Sequence, residues 1–121
     1  MDIGSKVPDL LSRLMSATAL RRDVLANNIA SQNLPGYRRR DVNFEAILAE
    51  QLSQGARPED LDHLSPEIEV DFNTPTRADG NNVSAEEEAS LLRENRIRFE
   101  LYAMLKKGSA SLITQALTSS R

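Results

Sequence analysis

A chain of 121 residues is long enough for one small domain, but three Phe, two Tyr and no Trp leave few of the large side chains that usually fill a core. The net charge of −3 argues against a general attraction to nucleic acid or anionic lipid, and the absence of cysteine excludes disulfides and thiolate chemistry. Charges interrupt the N-terminal region, and no later stretch is apolar over about 18 residues. We therefore expect no cleaved signal peptide, no membrane insertion, and a partner that completes the burial of apolar faces.

The N-terminal segment, residues 1–33, is predicted to form a long helix. Its apolar residues recur at spacings of three and four, which places them on one helical face. This face consists of Leu10, Leu14, Ala17, Leu20 and Val24. The pair Pro35-Gly36 ends the helix, because neither residue favours its continuation.

The central segment, residues 34–83, is mostly polar and contains several prolines. A short helix is predicted over Phe44 to Leu52. Apolar and acidic residues alternate from Ile68 to Phe72, which predicts a strand or one arm of a β-hairpin. The remainder, from about residue 53 onward, is predicted to be an irregular and flexible loop.

The C-terminal segment, residues 84–121, predicts a second long helix. Ser84 and Glu87 have the spacing of a capping box, and the carboxylates of residues 86–88 complement the positive end of the helix dipole. One stripe contains Leu91, Leu92, Asn95, Phe99 and Tyr102, and another side carries Ile97, Leu101 and Met104. Because one partner helix covers only one face, this helix is expected to have several neighbours.

These elements predict a mainly α fold, in which the long terminal helices pair as an antiparallel hairpin or coiled coil around the irregular middle. Asparagines lie beside the apolar stripes, Asn27 and Asn28 in the first helix and Asn95 in the second. Asparagine at a helical interface fixes register and partner choice, whereas most polar residues are solvated. The spacing alone leaves both interpretations open.

The sequence contains no recognisable catalytic or metal-binding pattern. The single histidine, His63, has no second histidine or cysteine nearby, so a transition-metal site would lack its usual ligands. The carboxylates Glu59, Asp60 and Asp62 do not have the spacing of a calcium-binding loop, and the glycines match no nucleotide-binding motif. We therefore expect no enzymatic activity, no catalytic residue, no cofactor and no metal.

The basic run from Arg38 to Arg40 follows the predicted end of the first helix. A nucleic-acid site would need further basic residues or stacking aromatics, but only Tyr37 is adjacent, and Asp41 and Glu45 follow closely. Arginines beyond a helix C-terminus also complement its dipole. A structural or protein-interface role is favoured, and no nucleic-acid partner is expected.

Two stretches resemble bacterial flagellar rod and hook proteins. The first is LANNIASQNLPGYRRRDVNFEAIL, which is similar to the N-terminal signature of these proteins, although Leu34 replaces a common threonine and Ser31-Gln32 replaces an Asn-Ala-like pair. The second is DGNNVSAEEEASLLRENRIRFELYAML, which resembles the segment that opens the terminal helix of the short rod proteins. The short length favours a proximal rod protein.

The resemblance implies a structural subunit of the basal-body rod that assembles helically around an export channel and transmits torque. It implies contacts with copies of itself and with other rod proteins, with the MS-ring and adaptor proteins, and with the flagellar type III export gate. It also places the subunit in the periplasmic part of the basal body, exported without a cleaved signal peptide.

The resemblance also suggests functional residues. Phe44 and Leu48 have the Phe-x-x-x-aliphatic spacing recognised at the export gate, but the same spacing suits a packed helix. The residues expected at an assembly interface are Asn27, Asn28, Ile29, Pro35, Gly36, Tyr37, Arg38, Asn95, Phe99 and Tyr102. Two other classes of protein remain possible alternatives, namely a helical-hairpin adaptor or export chaperone, and a small nucleic-acid-binding protein.

Overall fold

The computed structural model describes the backbone of residues 3–119 and the side chains of residues 9–57 and 60–108. Helices and strands alternate along the chain, with the two longest helices at its ends. In order, the elements are helix α1 (Ile3–Ala30), strand β1 (Arg40–Asn43), helix α2 (Glu45–Ser53), a 3-10 helix (Pro58–Leu61), strand β2 (Glu67–Val70) and helix α3 (Ala85–Ser119).

Helices α1 and α3 pair along their lengths and run antiparallel. Asn28, near the end of α1, contacts Glu88 near the start of α3, and Thr18 contacts Asn95 about two turns further along α3. Leu25 of α1 is completely buried. At 1.5 Å per residue the helices are about 42 and 52 Å long. The predicted helical hairpin is therefore confirmed, although α1 ends at Ala30 rather than at residue 33.

Helix α2 packs on the N-terminal half of α1 and supplies most of a small apolar core. Phe44, just before α2, and Leu48 within it are 2% and 5% exposed, and they meet Ala17 of α1 and Leu61 of the 3-10 helix. The helix predicted over residues 44–52 is confirmed to within one residue at each end. Its amphipathic side fixes the middle of the chain to α1.

The two strands form one antiparallel sheet, in which Arg40 lies opposite Val70 and Val42 opposite Ile68. Strand β2 was predicted, whereas β1, which begins inside the basic run, was not. The predicted strand therefore pairs in a small antiparallel sheet, and the connection between the two strands contains α2 and the 3-10 helix.

The charged side of the sheet faces the protein at the end that carries Arg39 and Asp71, whereas Glu67 and Glu69 on the same side of β2 are exposed. Arg39 and Asp71 have side chains that are only 12% and 17% exposed, whereas Ile68, Val70 and Phe72 are 53%, 39% and 72% exposed. Successive residues of a strand point to opposite faces. The apolar residues therefore lie on the face that is turned away from the helices.

The segment that precedes α3 is more ordered than the predicted irregular loop. Asn81, Asn82 and Val83 are at most 4% exposed, and Ser84 caps the helix by accepting a hydrogen bond from the backbone N–H of Glu87 at 3.4 Å. Within the described residues, no helix is long and apolar enough to cross a membrane.

Candidate assembly surface

The turn after α1 depends on two glycines from distant parts of the chain. Gly36 has φ +76° and Gly80 has φ +85°, values that glycine adopts readily. The Gly36 N–H donates to the carbonyl of Asp79 at 2.8 Å. A Cβ on Gly80 would lie 3.2 Å from the Cα of Gly36. The Pro35-Gly36-Tyr37 turn is thus held by the segment that leads into α3.

Asn28 connects α1 to three other parts of the structure. Its Nδ2 donates to the Arg40 carbonyl at 2.7 Å and to Glu88 Oε2 at 3.0 Å. Its Oδ1 accepts from the Arg40 N–H and from the Tyr37 hydroxyl, each at 3.0 Å. The side chain is completely buried, and it uses both of its donors and both lone pairs of its oxygen. No hydrogen-bonding capacity remains for a neighbouring molecule.

Arg39 and Glu88 form a buried ion pair beside Asn28. The Glu88 side chain is 1% exposed and accepts from Nε of Arg39, while the guanidinium also donates to Asp71 at 3.1 Å and to Asp41 at 3.3 Å. Burial alone would lower the pKa of Arg39, but its hydrogen bond to Glu88 and the neighbouring carboxylates raise it instead. The arginine therefore stays charged inside the protein.

The two aspartates around Arg39 are also held in their ionised forms. Burial alone would raise the pKa of Asp41, but its hydrogen bond and charge contact with Arg21 at 2.8 Å bring the pKa below its usual value. The pKa of Asp71 is lowered mainly by the Thr74 hydroxyl at 2.6 Å, with further N–H donors from Asn73 and Thr74. Each carboxylate therefore has fixed donors that favour its charge.

Two asparagines before α3 complete this arrangement. Asn81 Nδ2 donates to the carbonyls of Ser31 and Leu34, both at 2.9 Å, and so satisfies backbone groups left free where α1 ends. Asn82 Oδ1 accepts from the Arg39 N–H at 2.6 Å. The structure thus contains a polar cluster, consisting of Asn28, Arg39, Asp41, Asp71, Asn82 and Glu88. It joins the end of α1 to the start of α3 within one subunit.

This burial corrects the expectation for Asn28. Asn28 faces the interior of its own subunit and cannot reach a neighbour. Asn27 is exposed and donates to the Tyr37 hydroxyl at 3.2 Å. Ile29, Tyr37 and Arg38 are half-buried, while Pro35 is exposed. Most of the turn therefore stabilises the fold, and only part of it is accessible.

Asn95 also acts inside the chain. It is 3% exposed, and its Nδ2 donates to the Thr18 carbonyl at 2.7 Å. Its Oδ1 is buried without a hydrogen-bond partner among the described residues. The adjoining groove of about 370 Å³ is lined by Thr18, Ala19, Arg22, Leu92, Asn95, Arg96 and Phe99. Asn95 thus fixes the register of α3 on α1, which is the role expected of an interface asparagine but within one subunit.

Tyr102 and Phe99 differ in how far they are accessible. The Tyr102 hydroxyl donates to Glu45 of α2 at 2.7 Å, and burial together with this hydrogen bond raises its pKa to about 12. Arg98 binds the same carboxylate at 3.1 Å. Phe99 is 39% exposed in the groove. Phe99 is therefore available for contacts, whereas Tyr102 is engaged with α2.

The residues proposed for export recognition are inaccessible in the folded chain. Phe44 and Leu48 belong to the apolar core, so the packed-helix interpretation of their spacing describes the fold. His63 is exposed. Within the part of the chain that the structure describes, no group of three or more His, Asp or Glu side chains gathers where it could hold a metal ion.

Sequence reasoning missed the long-range members of the polar cluster. Glu88 was assigned only to the helix dipole, and Arg39 to an exposed basic run. Asn81 and Asn82 were placed in a loop. The sequence offered only an Asn-Asn dipeptide shortly before a carboxylate at a helix start as a signal, because the partners of these residues lie 43 to 60 residues away in the chain.

Comparison with known proteins shows which sequences this chain is similar to. No family profile matches the chain. The flagellar basal body rod protein FlgB of Borrelia hermsii is 28% identical over 88% of this chain and 91% of its own length, and that of Bacillus subtilis is 24% identical over the full length of both. The FlgB protein of Escherichia coli is 24% identical over 87% of this chain and 88% of its own length. The chain is thus similar to FlgB flagellar rod proteins over most of its length.

The similarity extends beyond the rod. The flagellar hook protein FlgE of Treponema pallidum is 43% identical over 38% of this chain, which is 10% of that protein. The two sequence signatures also suit a FlgC-like rod protein, which is of similar size. The near-complete coverage of several FlgB proteins favours the FlgB-like assignment.

Proposed function

We propose that the chain is a structural subunit of the proximal rod of the bacterial flagellar basal body. The main support is the similarity of this chain to FlgB proteins of distant bacteria over nearly the whole length of both chains. The structure agrees with a building-block role, because the signature residues of the resemblance are used to hold two long helices together. The alternative of an adaptor or export chaperone is not favoured.

The subunit associates with other components of the flagellar basal body. More specifically, residues 1–33 and 84–121 supply the axial core of a helical assembly that surrounds the export channel and transmits torque. The MS-ring, an adaptor protein and further rod proteins are its neighbours. The assembled subunit lies in the periplasmic part of the rod.

Recognition by the type III export gate involves Phe44 and Leu48 before the chain folds. Both side chains are buried in the folded subunit, so a receptor can reach them only when α2 has left α1. Folding after export then buries the same residues in the core. One short segment thereby serves two successive purposes.

Purified basal bodies test the proposed role. A strain that lacks the gene is complemented with the wild-type chain, and mass spectrometry of its basal bodies is expected to find the chain at several copies per rod. The Arg22→Ala chain, altered at an exposed arginine, is the control for incorporation, and Arg39→Ala is expected to be lost. A chain that restores motility but is absent from basal bodies would instead indicate an adaptor or chaperone.

A further inference from the structure

The small sheet has the opposite polarity from that expected of a surface sheet. Its outward side, here called the outer sheet face, carries Arg38, Arg40, Ile68, Val70 and Phe72, together with the half-buried Val42 opposite Ile68. The side chains of Ile68, Val70 and Phe72 are 39–72% exposed. A sheet packed on one side normally turns its apolar residues inward and its polar residues to water. Here the reverse arrangement leaves a continuous apolar row in solvent.

The polar cluster accounts for this inversion. Arg39, Asp41 and Asp71 must face inward to reach Glu88 and Arg21. Because side chains alternate along a strand, the residues between them are directed outward. In a subunit that stayed monomeric, polar side chains at those outward positions would be better solvated than apolar ones. Large apolar side chains there indicate a surface that becomes covered.

The outer sheet face also carries positive charge. The Arg38 guanidinium lies 5.2 Å from the centre of the Phe72 ring, and that of Arg40 lies 5.9 Å from the Tyr37 ring. Neither arginine is paired with a carboxylate among the described residues. The covering partner should therefore present apolar side chains next to carboxylates.

A second copy of the chain offers two exposed apolar surfaces. One is the groove between α1 and α3, which is bordered by Arg22 and Arg96 and would repel the arginines of the outer sheet face. The other is here called the outer row of α3, and it consists of Ile97, Leu101 and Met104 with exposures of 65%, 49% and 70%.

Carboxylates border the outer row of α3. At 3.6 residues per turn, Glu94 lies on one side of the row and Glu100 on the other. Both are more than half exposed, and each forms only an i,i+4 pair with an arginine of its own helix. Such exposed pairs contribute little and are readily exchanged. The outer row therefore complements the outer sheet face in both hydrophobicity and charge.

The two surfaces also agree in length. The row from Ile68 to Phe72 is about 13 Å long at 3.3 Å per strand residue. The row from Ile97 to Met104 is about 10.5 Å long at 1.5 Å per helical residue. Each row consists of three large apolar side chains, so they can cover one another without leaving an excess on either side.

We propose that the outer sheet face of one subunit packs on the outer row of α3 of a second copy, with Arg38 and Arg40 meeting Glu94 or Glu100. This inference rests on the proposed role as a rod subunit. The two surfaces lie on different parts of the same chain, so the contact is heterologous. Repetition of such a contact produces an open helical assembly rather than a closed dimer.

Disulfide cross-linking tests this contact, because the chain has no cysteine of its own. Val70→Cys and Leu101→Cys chains are co-expressed, and basal bodies are purified and oxidised. A mixed disulfide between the two chains is expected. The control pair is Val70→Cys with Glu50→Cys, an exposed position on α2, and it should give none. The absence of the mixed disulfide, or a Val70→Cys product with itself only, would overturn the heterologous contact.

A charge exchange provides a second test that does not depend on cysteine chemistry. Arg40→Glu is expected to reduce swimming and incorporation at least several-fold, and Glu100→Arg in the same chain is expected to restore much of both. Circular dichroism checks that each variant folds. Failure of the second change to rescue a folded first variant would contradict the contact. Absence of even the wild-type chain from basal bodies would contradict the proposed function itself, which separates the two failures.

Discussion

Asn28 and Glu88 share a hydrogen bond of 3.0 Å in the interior of the protein, although 60 residues separate them in the chain. This bond joins the end of one long helix to the beginning of the other. Because Glu88 also binds Arg39 of the turn segment, the three residues fix the relative positions of α1, β1 and α3. The stability of the helical hairpin should therefore depend on a few polar side chains.

The first prediction concerns the two adjacent asparagines. Asn28→Ala should lower the free energy of unfolding by about 2–4 kcal/mol, because it leaves several buried groups without partners. Asn27→Ala should cost no more than about 1 kcal/mol, since Asn27 is exposed and makes one side-chain hydrogen bond. Urea unfolding followed by circular dichroism measures both. Equal losses in the two variants would contradict the internal role of Asn28.

The second prediction concerns the geometry of the buried arginine. Arg39→Lys keeps the charge but loses the forked donors that reach three carboxylates, so it should destabilise the fold by about 2–4 kcal/mol. The matched change, Arg22→Lys, affects a side chain that is 65% exposed and should stay within about 0.5 kcal/mol of the wild type. Thermal unfolding compares them. If Arg39→Lys unfolds at the same temperature as the wild type, the positive charge alone is enough to stabilise the fold at this position.

The third prediction is an acid-sensitive loss of stability. The folded-state pKa values of Asp41 and Asp71 lie below the usual value of about 3.9. A lowered pKa contributes stability above the unfolded-state pKa, and this contribution is lost as the pH falls below about 4. Urea unfolding between pH 2 and pH 6 should show this loss. Asp71→Asn should flatten the slope below pH 4, and an unchanged slope would exclude Asp71 as a major contributor.

The fourth prediction concerns Asn95, whose buried Oδ1 has no partner among the described residues. Asn95→Leu removes this unsatisfied oxygen and adds apolar contact beside the groove. The unfolding midpoint should therefore be unchanged or raised, whereas Asn28→Leu, at similar burial, should lower it strongly. If Asn95→Leu instead costs more than about 2 kcal/mol, an undetected partner satisfies the Asn95 oxygen.

The helices could be predicted from the sequence because their signals are local. The apolar spacing of α1, the start of α3 at Ser84 and the short helix α2 each depend on residues within a few turns. Strand β1 could not be predicted in this way. Its residues are Arg-Asp-Val-Asn, which read as a charged loop, and they form a strand only because β2 and the polar cluster supply partners for them.

The sequence identified important site residues but misjudged their neighbours. Asn28 and Asn95 were selected as residues that fix helix register, and each donates a hydrogen bond between α1 and α3. Spacing along one helix cannot distinguish a partner within the chain from one in another subunit, since both present the same apolar stripe. The inward direction of Arg39 and Asp71 could not be predicted either, because it depends on the carboxylate of Glu88, which lies 49 residues after Arg39.

The composition of the polar cluster has a consequence for the order in which the subunit can fold. Asn28 and Arg39 come early in the chain, whereas Asn82 and Glu88 come late. In a chain made from its N-terminus, α1 can meet α2 early, but Asn28 cannot reach Glu88 until 60 further residues have followed. Contacts this distant in sequence form late, because closing a long loop must come first. The polar cluster is therefore completed only when the segment that carries Asn82 and Glu88 is available, late in the folding of the chain.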